Sequence, residues 1–177
     1  MVCFVAFLRG INVGGHIVKK DRLQEAFFSL GFENVSTYKQ SGNVIFEANT
    51  SDTEELQKKI ENKLQTILGY SVSPLLRTIE QLRSIFVQEP FKDQKEEGAS
   101  FLVTMLPTSL AKFPLQLPVT IPKSTAQIIS ANGTEIFSVT HGGGEGALPN
   151  PFVESKLKIK ATTRNMNVIR EIVEKYG

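Results

Sequence analysis

The chain has 177 residues, of which 41% are hydrophobic and 21% charged, and its formal net charge is +2. This composition suits one ordinary folded domain or two small ones sharing a core. It excludes a disordered chain, because 12 Phe with many Ile, Leu and Val can offset chain entropy. It also excludes a general basic coat for nucleic acid. With no apolar run near the ~20 residues needed to cross a bilayer, it gives no reason to expect a membrane partner.

Residues 2–8, "VCFVAFL", are apolar at both parities and read as a central strand covered on both faces. Residues 20–30 read as a helix with Leu23, Phe27 and Leu30 on one stripe, Asp21 as N-cap and Gly31 as the stop. "NVSTYKQ" and "NVIFEA" read as a hairpin joined around Ser41-Gly42. "SDTEELQKKIENKLQTILG" is the strongest helix. Its capping box is Ser51 with Glu54 or Asp52 with Glu55, its stripe is Leu56, Ile60, Leu64 and Ile67, and Gly69 ends it. "SVSPLLRT" reads as a strand that Pro74 assigns to a sheet edge. The order β-α-β-β-α-β is the ferredoxin-like unit, or α/β plait.

The second half reads as a looser copy. "IEQLRSIFVQEPF" is a connecting helix with Leu82, Ile85 and Phe86 inward, and "KDQKEEG" an exposed charged loop. "SFLVTML" is again a strand apolar on both faces, and "PTSLAKF" is given a short helix. Pro114, Pro118 and Pro122 exclude a long helix beyond it. "TAQIISANGTEIFSVT" reads as a hairpin turning at Asn132-Gly133, "NPFVESKLK" as a short helix and "KIKATT" as a short strand. The closing helix "NMNVIREIVEKYG" is assigned an inward side of Val168, Ile172 and Tyr176. From the end of the first strand to its hairpin glycine is 33 positions (Arg9 to Gly42), against 27 in the second half (Leu106 to Gly133). The expected class is therefore α+β, with duplicated ferredoxin-like (βαββαβ) halves. Residues 1–79 form the first half, 80–99 a connecting helix and loop, and 100–177 the second half with a C-terminal helix. The two doubly apolar strands imply sheets covered by each other or by another chain.

"LRGINVGG", residues 8–15, invites comparison with phosphate-binding loops. Gly10 and Gly15 have Walker A spacing, but His16 and Ile17 stand where the lysine and the hydroxyl are needed. Glycines at 10, 14 and 15 do not form the dinucleotide pattern either. A softer anion site remains, built on backbone N–H groups with Arg9 and Lys19 or Lys20, against the simpler reading of a turn that needs positive φ. "TTRN", residues 162–165, precedes the last helix. Thr163 or Asn165 can cap it, while Arg164 opposes the helix dipole unless an anion accompanies it. "QSGN", residues 40–43, offers amide and hydroxyl groups at a hairpin tip, against the simpler reading in which turn chemistry explains Ser, Gly and Asn without a ligand.

"HGGGEG", residues 141–146, resembles the oxyanion loop of lipases and esterases, but no G-x-S-x-G elbow accompanies it, and it reads as a flexible loop. His16 and His141 are the only histidines and Cys3 the only cysteine, so neither a nucleophilic triad nor a zinc set is expected. No cofactor is expected. Cys3 makes no internal disulfide and reads as a small hydrophobe. With no basic n-region before the first apolar run, it points to the cytoplasm. "KLKIK", residues 156–160, is a basic stripe that protects a sheet edge or meets phosphates. "NVIFEA" lacks the aromatic pattern of RNA-recognition modules.

Three stretches, "FLRGINVGG", "TYKQSGNVIFE" and "ATTRNMN", together resemble the bacterial family called domain of unknown function 1697, over residues 4 to about 170. The resemblance implies a pair of ferredoxin-like plaits and carries over no activity and no catalytic residue. Its motif positions here are Arg9, Gly10, Asn12, Gly14, Gly15, Gln40, Ser41, Gly42, Asn43, Thr162, Thr163, Arg164 and Asn165. Members commonly carry an aromatic residue where this chain has Met166.

The leading expectation is a cytosolic binding protein for an anionic ligand, a nucleotide or a nucleic-acid phosphate. Its ligand residues would be Arg9, Asn12, Gly14, Gly15, Gln40, Ser41, Asn43, Thr163, Arg164 and Asn165. One geometric objection applies: the loop after the first strand and the tip of the first hairpin are expected at opposite ends of the sheet. The alternatives are an enzyme without a nucleophilic triad, using an arginine-bound anion with a carboxylate or His16, and a protein-interaction module or homo-oligomer.

Overall fold

The computed structural model describes residues 1–12, 14–39, 42–94, 97–141 and 148–177. The chain divides into two compact units, Met1–Leu82 and Arg83–Gly177.

In unit 1 the elements are β1 (Val2–Arg9), α1 (Lys20–Phe28), β2 (Glu33–Tyr38), β3 (Asn43–Ala48), α2 (Thr53–Leu68) and β4 (Ser73–Thr78), followed by α3 (Ile79–Val87), within which the division falls. The sheet order is β2-β3-β1-β4, with β1 antiparallel to both neighbours. β1 is thus central, and Phe4 to Leu8 are all buried, as its two apolar parities require. Phe4, Ala6 and Leu8 join Leu23 and Phe27 of α1 and Leu56, Ile60 and Leu64 of α2 in one core. Phe46 stacks on Phe4 at 5.6 Å and meets the edge of Phe27 at 5.3 Å. Pro74 lies on the edge strand β4, where its missing N–H costs no ladder bond.

Asp52 caps α2 by accepting from the N–H groups of Glu54 and Glu55, and Gly69 closes it at φ +80°. α1 differs from expectation. Its N-cap is Lys19, which makes no side-chain cap, and Asp21 lies inside the first turn. The extended chain through Lys19 starts the helix two residues earlier than an Asp21 cap would.

Unit 2 contains β5 (Ala99–Leu110), β6 (Val119–Thr120), β7 (Ala126–His141), α4 (Asn150–Leu157), β8 (Thr162–Asn165) and α5 (Met166–Tyr176). Its sheet order β6-β7-β5-β8 repeats that of unit 1. Three local expectations change. "PTSLAKF" forms no helix, because β5 runs on through Leu110 and the chain then turns. The segment expected to turn at Asn132-Gly133 is one strand, β7. Its end pairs with β5 and its start with β6, and Gly133 at φ +57° absorbs the register shift opposite Leu110. "KIKATT" becomes strand only from Thr162, since Lys158 is the left-handed C-cap of α4. α5 buries Met166, Ile169 and Ile172, while Val168 and Tyr176 are half-buried, so its inward stripe starts two residues before the expected one.

Among the described residues no helix is long and apolar enough to cross a membrane, and no group of three or more His, Cys, Asp or Glu could hold a metal ion. Most of the glycine-rich stretch after His141, residues 142–147, lies outside the described residues, as do Gln40 and Ser41.

Candidate functional site

A candidate site lies in unit 1, at the end where β1 finishes. β1 is antiparallel to β3, so the last residues of β1 meet the first of β3: Phe7 pairs with Asn43, and the Leu8 N–H donates to the Gly42 carbonyl at 2.8 Å. The loop after β1 and the β2–β3 turn therefore share one end of the sheet, which removes the geometric objection raised from the sequence. Between them opens a cleft of about 400 Å³. Its walls come from the β1–α1 loop, the first turn of α1, and the strand ends at Thr37, Lys39, Gly42 and Asn43.

Several described residues of the loop are tied to the rest of the unit. Ile11 is buried, and its carbonyl accepts from the Tyr70 hydroxyl at 2.7 Å. The ring of His16 stacks on Tyr70 at 4.9 Å. The Asn12 side chain accepts from the Val18 N–H at 3.2 Å and so ties the loop's two ends. Gly10, Gly14 and Gly15 all take positive φ, the conformation for which glycine is the natural residue. Gly42 is the tightest point. Besides φ +68°, a Cβ there would lie 2.7 Å from Ile11 Cγ2.

The charge of the cleft comes from residues that motif matching barely flagged. Lys19, Lys20 and Lys39 line it, with Asp21 the opposing carboxylate. Lys39 is held at φ +53°, and its ammonium stands 5.5 Å above the Tyr38 ring. The first intrahelical bond of α1 runs from the Leu23 N–H to the Lys19 carbonyl, so the N–H groups of Lys20, Asp21 and Arg22 precede it. With no side-chain cap, the positive end of the helix dipole faces the same opening. Ile11, Ile17, Val18 and Leu23 supply an apolar wall.

The expected ligand residues fare unevenly. Asn12 and Asn43 line the cleft, although Asn43 is buried and its amide donates to the Tyr38 carbonyl at 3.0 Å. Gly14 and Gly15 shape the loop. Arg9 shares the strand parity of Phe7 and Val5, opposite that of Leu8 and the helix-facing core.

Thr163, Arg164 and Asn165 belong to unit 2 and form part of β8 rather than a loop. Thr163 Oγ1 bonds Thr104 Oγ1 at 2.7 Å and donates to Asn150 Oδ1, while the Asn150 amide donates to the Ala161 carbonyl at 2.9 Å. Asn165 caps α5 by accepting from the Asn167 N–H at 2.8 Å. Arg164 pairs across the ladder with Val103 and donates to Thr162 Oγ1 and the Thr163 carbonyl, both at 2.9 Å. Burial pushes its pKa down from the usual guanidinium range to about 10, so it remains charged at neutral pH. Arg164 sits in a paired strand one residue ahead of the cap residue, and its guanidinium finds a hydroxyl and a carbonyl acceptor there.

Cys3 is half-buried and cross-strand from Glu47. Burial first and the Glu47 charge second push its thiol pKa up, which disfavours a reactive thiolate.

Two four-stranded antiparallel sheets with the same strand order define the class: an α+β protein of duplicated ferredoxin-like halves. The family model described as "Protein of unknown function (DUF1697)" matches residues 1–137, and the chain belongs to that family. Among solved structures, the chain is similar to the conserved bacterial protein SP0830 from Streptococcus pneumoniae, with 20% identity, a TM-score of 0.66, and coverage of 98% of this chain and 97% of that one. At that identity the likeness concerns the fold. No curated protein matches the chain.

Proposed function

We propose that the protein binds a small phosphate-bearing anion, a nucleotide or a nucleic-acid phosphate, in the unit 1 cleft. One observation carries this reading: three lysines and the uncapped start of α1 surround the same opening. Backbone N–H groups at a helix start and nearby ammonium groups each favour an anion, and together they favour it more than either alone. The reading rests on unit 1, because Thr163, Arg164 and Asn165 are engaged in strand, core and cap contacts of their own unit. The chain's single cysteine can make no internal disulfide, which supports a reducing cytosolic setting.

Isothermal titration with inorganic phosphate and with adenosine monophosphate at low salt tests the proposal. The Lys20→Ala/Lys39→Ala variant should lose at least about tenfold in affinity, since hydrogen bonds to charged groups contribute roughly 1.5–3 kcal/mol. Lys59→Ala, on an α2 lysine already paired with Glu55, should bind as wild type does. Absence of wild-type binding at millimolar ligand, or an unaffected double variant, would sink the reading.

A further inference from the structure

We infer that Asn132, in unit 2, is a site of spontaneous modification. Its side chain converts to aspartate and isoaspartate through a cyclic imide closed by the Gly133 backbone nitrogen, and the Gln88 side chain restrains that conversion. Asparagine is among the thermolabile residues. Asn132-Gly133 is the only Asn-Gly pair in the chain, and it falls where β7 changes partners.

Three features of unit 2 carry the inference. The first is access. Asn132 is exposed, so water and solvent base reach it. It lies between the stretch of β7 paired with β6, which ends at Ile128, and the stretch paired with β5, which starts at Gly133.

The second is room for the ring. The attacking nitrogen belongs to a residue with no Cβ to shield it. A Cβ built on Gly133 would meet Ser109 Oγ at 3.7 Å, an ordinary contact distance, so the space beside this peptide unit is open.

The third is the restraint. The Asn132 amide donates to Gln88 Oε1 at 2.8 Å. That bond must break before Asn132 Cγ can swing onto the Gly133 nitrogen. Both side chains are exposed, so the bond slows the reaction without blocking it.

The chemistry needs only water. The Gly133 nitrogen loses its proton to solvent base and attacks Asn132 Cγ. The bond from Cγ to Nδ2 breaks, and Nδ2 takes a proton and leaves as ammonia. Water then opens the imide at one of its two carbonyls. Opening at Cγ gives aspartate, and opening at the main-chain carbonyl gives isoaspartate. In aspartate an oxygen replaces the amide donor that faced Gln88 Oε1. Isoaspartate also adds one carbon to the main chain just before the Gly133 kink.

The test keeps the full chain at mildly alkaline pH, digests samples at low pH and follows each asparagine peptide by mass spectrometry. An isoaspartate methyltransferase identifies the isoaspartyl form. The Asn132 peptide should exchange NH2 for OH and split into two isomers. It should do so faster than the peptides of Asn49 and Asn62, which are also exposed but precede Thr50 and Lys63. Its rate should rise with pH, because the attacking nitrogen must be deprotonated. Gln88→Ala, at an exposed position, should speed conversion by about two- to tenfold, the worth of one neutral hydrogen bond. Conversion at Asn132 no faster than at Asn49 and Asn62 would overturn the site. Equal rates in wild type and Gln88→Ala would overturn the restraint while leaving the site standing.

Discussion

The two units share a strand order and a register, and they part company between their first two strands. In unit 1 that connection holds α1, whose start forms one wall of the cleft. In unit 2 it is a proline-rich segment without a helix, and Phe113 with half-buried Leu115 and Leu117 fills the core space instead. The repeat is otherwise close. Val5 faces Arg77 as Val103 faces Arg164, and each arginine donates to the carbonyl of the residue before it. Each is followed by a helix cap: Thr78, which exchanges bonds with Gln81 in a capping box, and Asn165. The frame was duplicated with its arginine and its cap, whereas the helix whose start lines the unit 1 cleft occurs only once.

The sharpest way to break this comparison is at the two glycines that the sequence spacing matched. Gly42 combines a positive φ with a 2.7 Å approach to Ile11, whereas Gly133 has a positive φ and only Ser109 Oγ at 3.7 Å. Gly42→Ala should cost about 2–5 kcal/mol, from the left-handed penalty and overpacking together. Gly133→Ala should cost only the first part, about 1–2 kcal/mol. Urea unfolding monitored by circular dichroism measures both. Equal costs would mean that the backbone at Gly42 is not as tightly packed against Ile11 as described above.

The cores differ in polarity at matched positions. Thr104, Thr163 and Ser138 in unit 2 occupy the register sites of Ala6, Leu76 and Phe46 in unit 1. The threonines form a buried chain with Asn150 that pins the start of α4 to β8. Thr163→Val should therefore cost about 1–3 kcal/mol, because it leaves Thr104 and Asn150 without that partner. Leu76→Thr should be similarly costly for the converse reason, a hydroxyl placed in an apolar core. A neutral Thr163→Val would show that the network adds no stability to unit 2.

Much of this was legible in the sequence where one physical rule decided. The doubly apolar run of β1, the Asp52 cap, the Gly69 stop and the Pro74 edge each follow from local chemistry, and the structure agrees. Unit 2 was harder to read because its signals conflict. Asn132-Gly133 is a strong turn pair, yet both flanks find partners, β6 and β5, so tertiary pairing turns the expected hairpin into a kinked strand. The site was half legible. Glycines and asparagines of the motif mark the loop that shapes the cleft, but the lysines that charge it carry no pattern of their own. Lys39 is recruited by the β2–β3 pairing, which composition and spacing do not reveal.

The smallest expected effect tests whether the duplicated caps are equivalent. Asn165 accepts one backbone N–H at the start of α5, and its replacement by alanine should cost about 1 kcal/mol. Thr78 works inside a reciprocal pair, so Thr78→Ala frees both the Gln81 N–H and, indirectly, the Gln81 amide that accepts from the Thr78 N–H. Its cost should equal or slightly exceed that of Asn165→Ala, within the roughly 0.5–2 kcal/mol spread of measured caps. The register links each cap to its arginine one residue earlier, so the double variants Arg77→Met/Thr78→Ala and Arg164→Met/Asn165→Ala should show coupling of the same sign. Opposite signs in the double-mutant cycles would mean that the arginine and the cap were duplicated as sequence without being duplicated as a device.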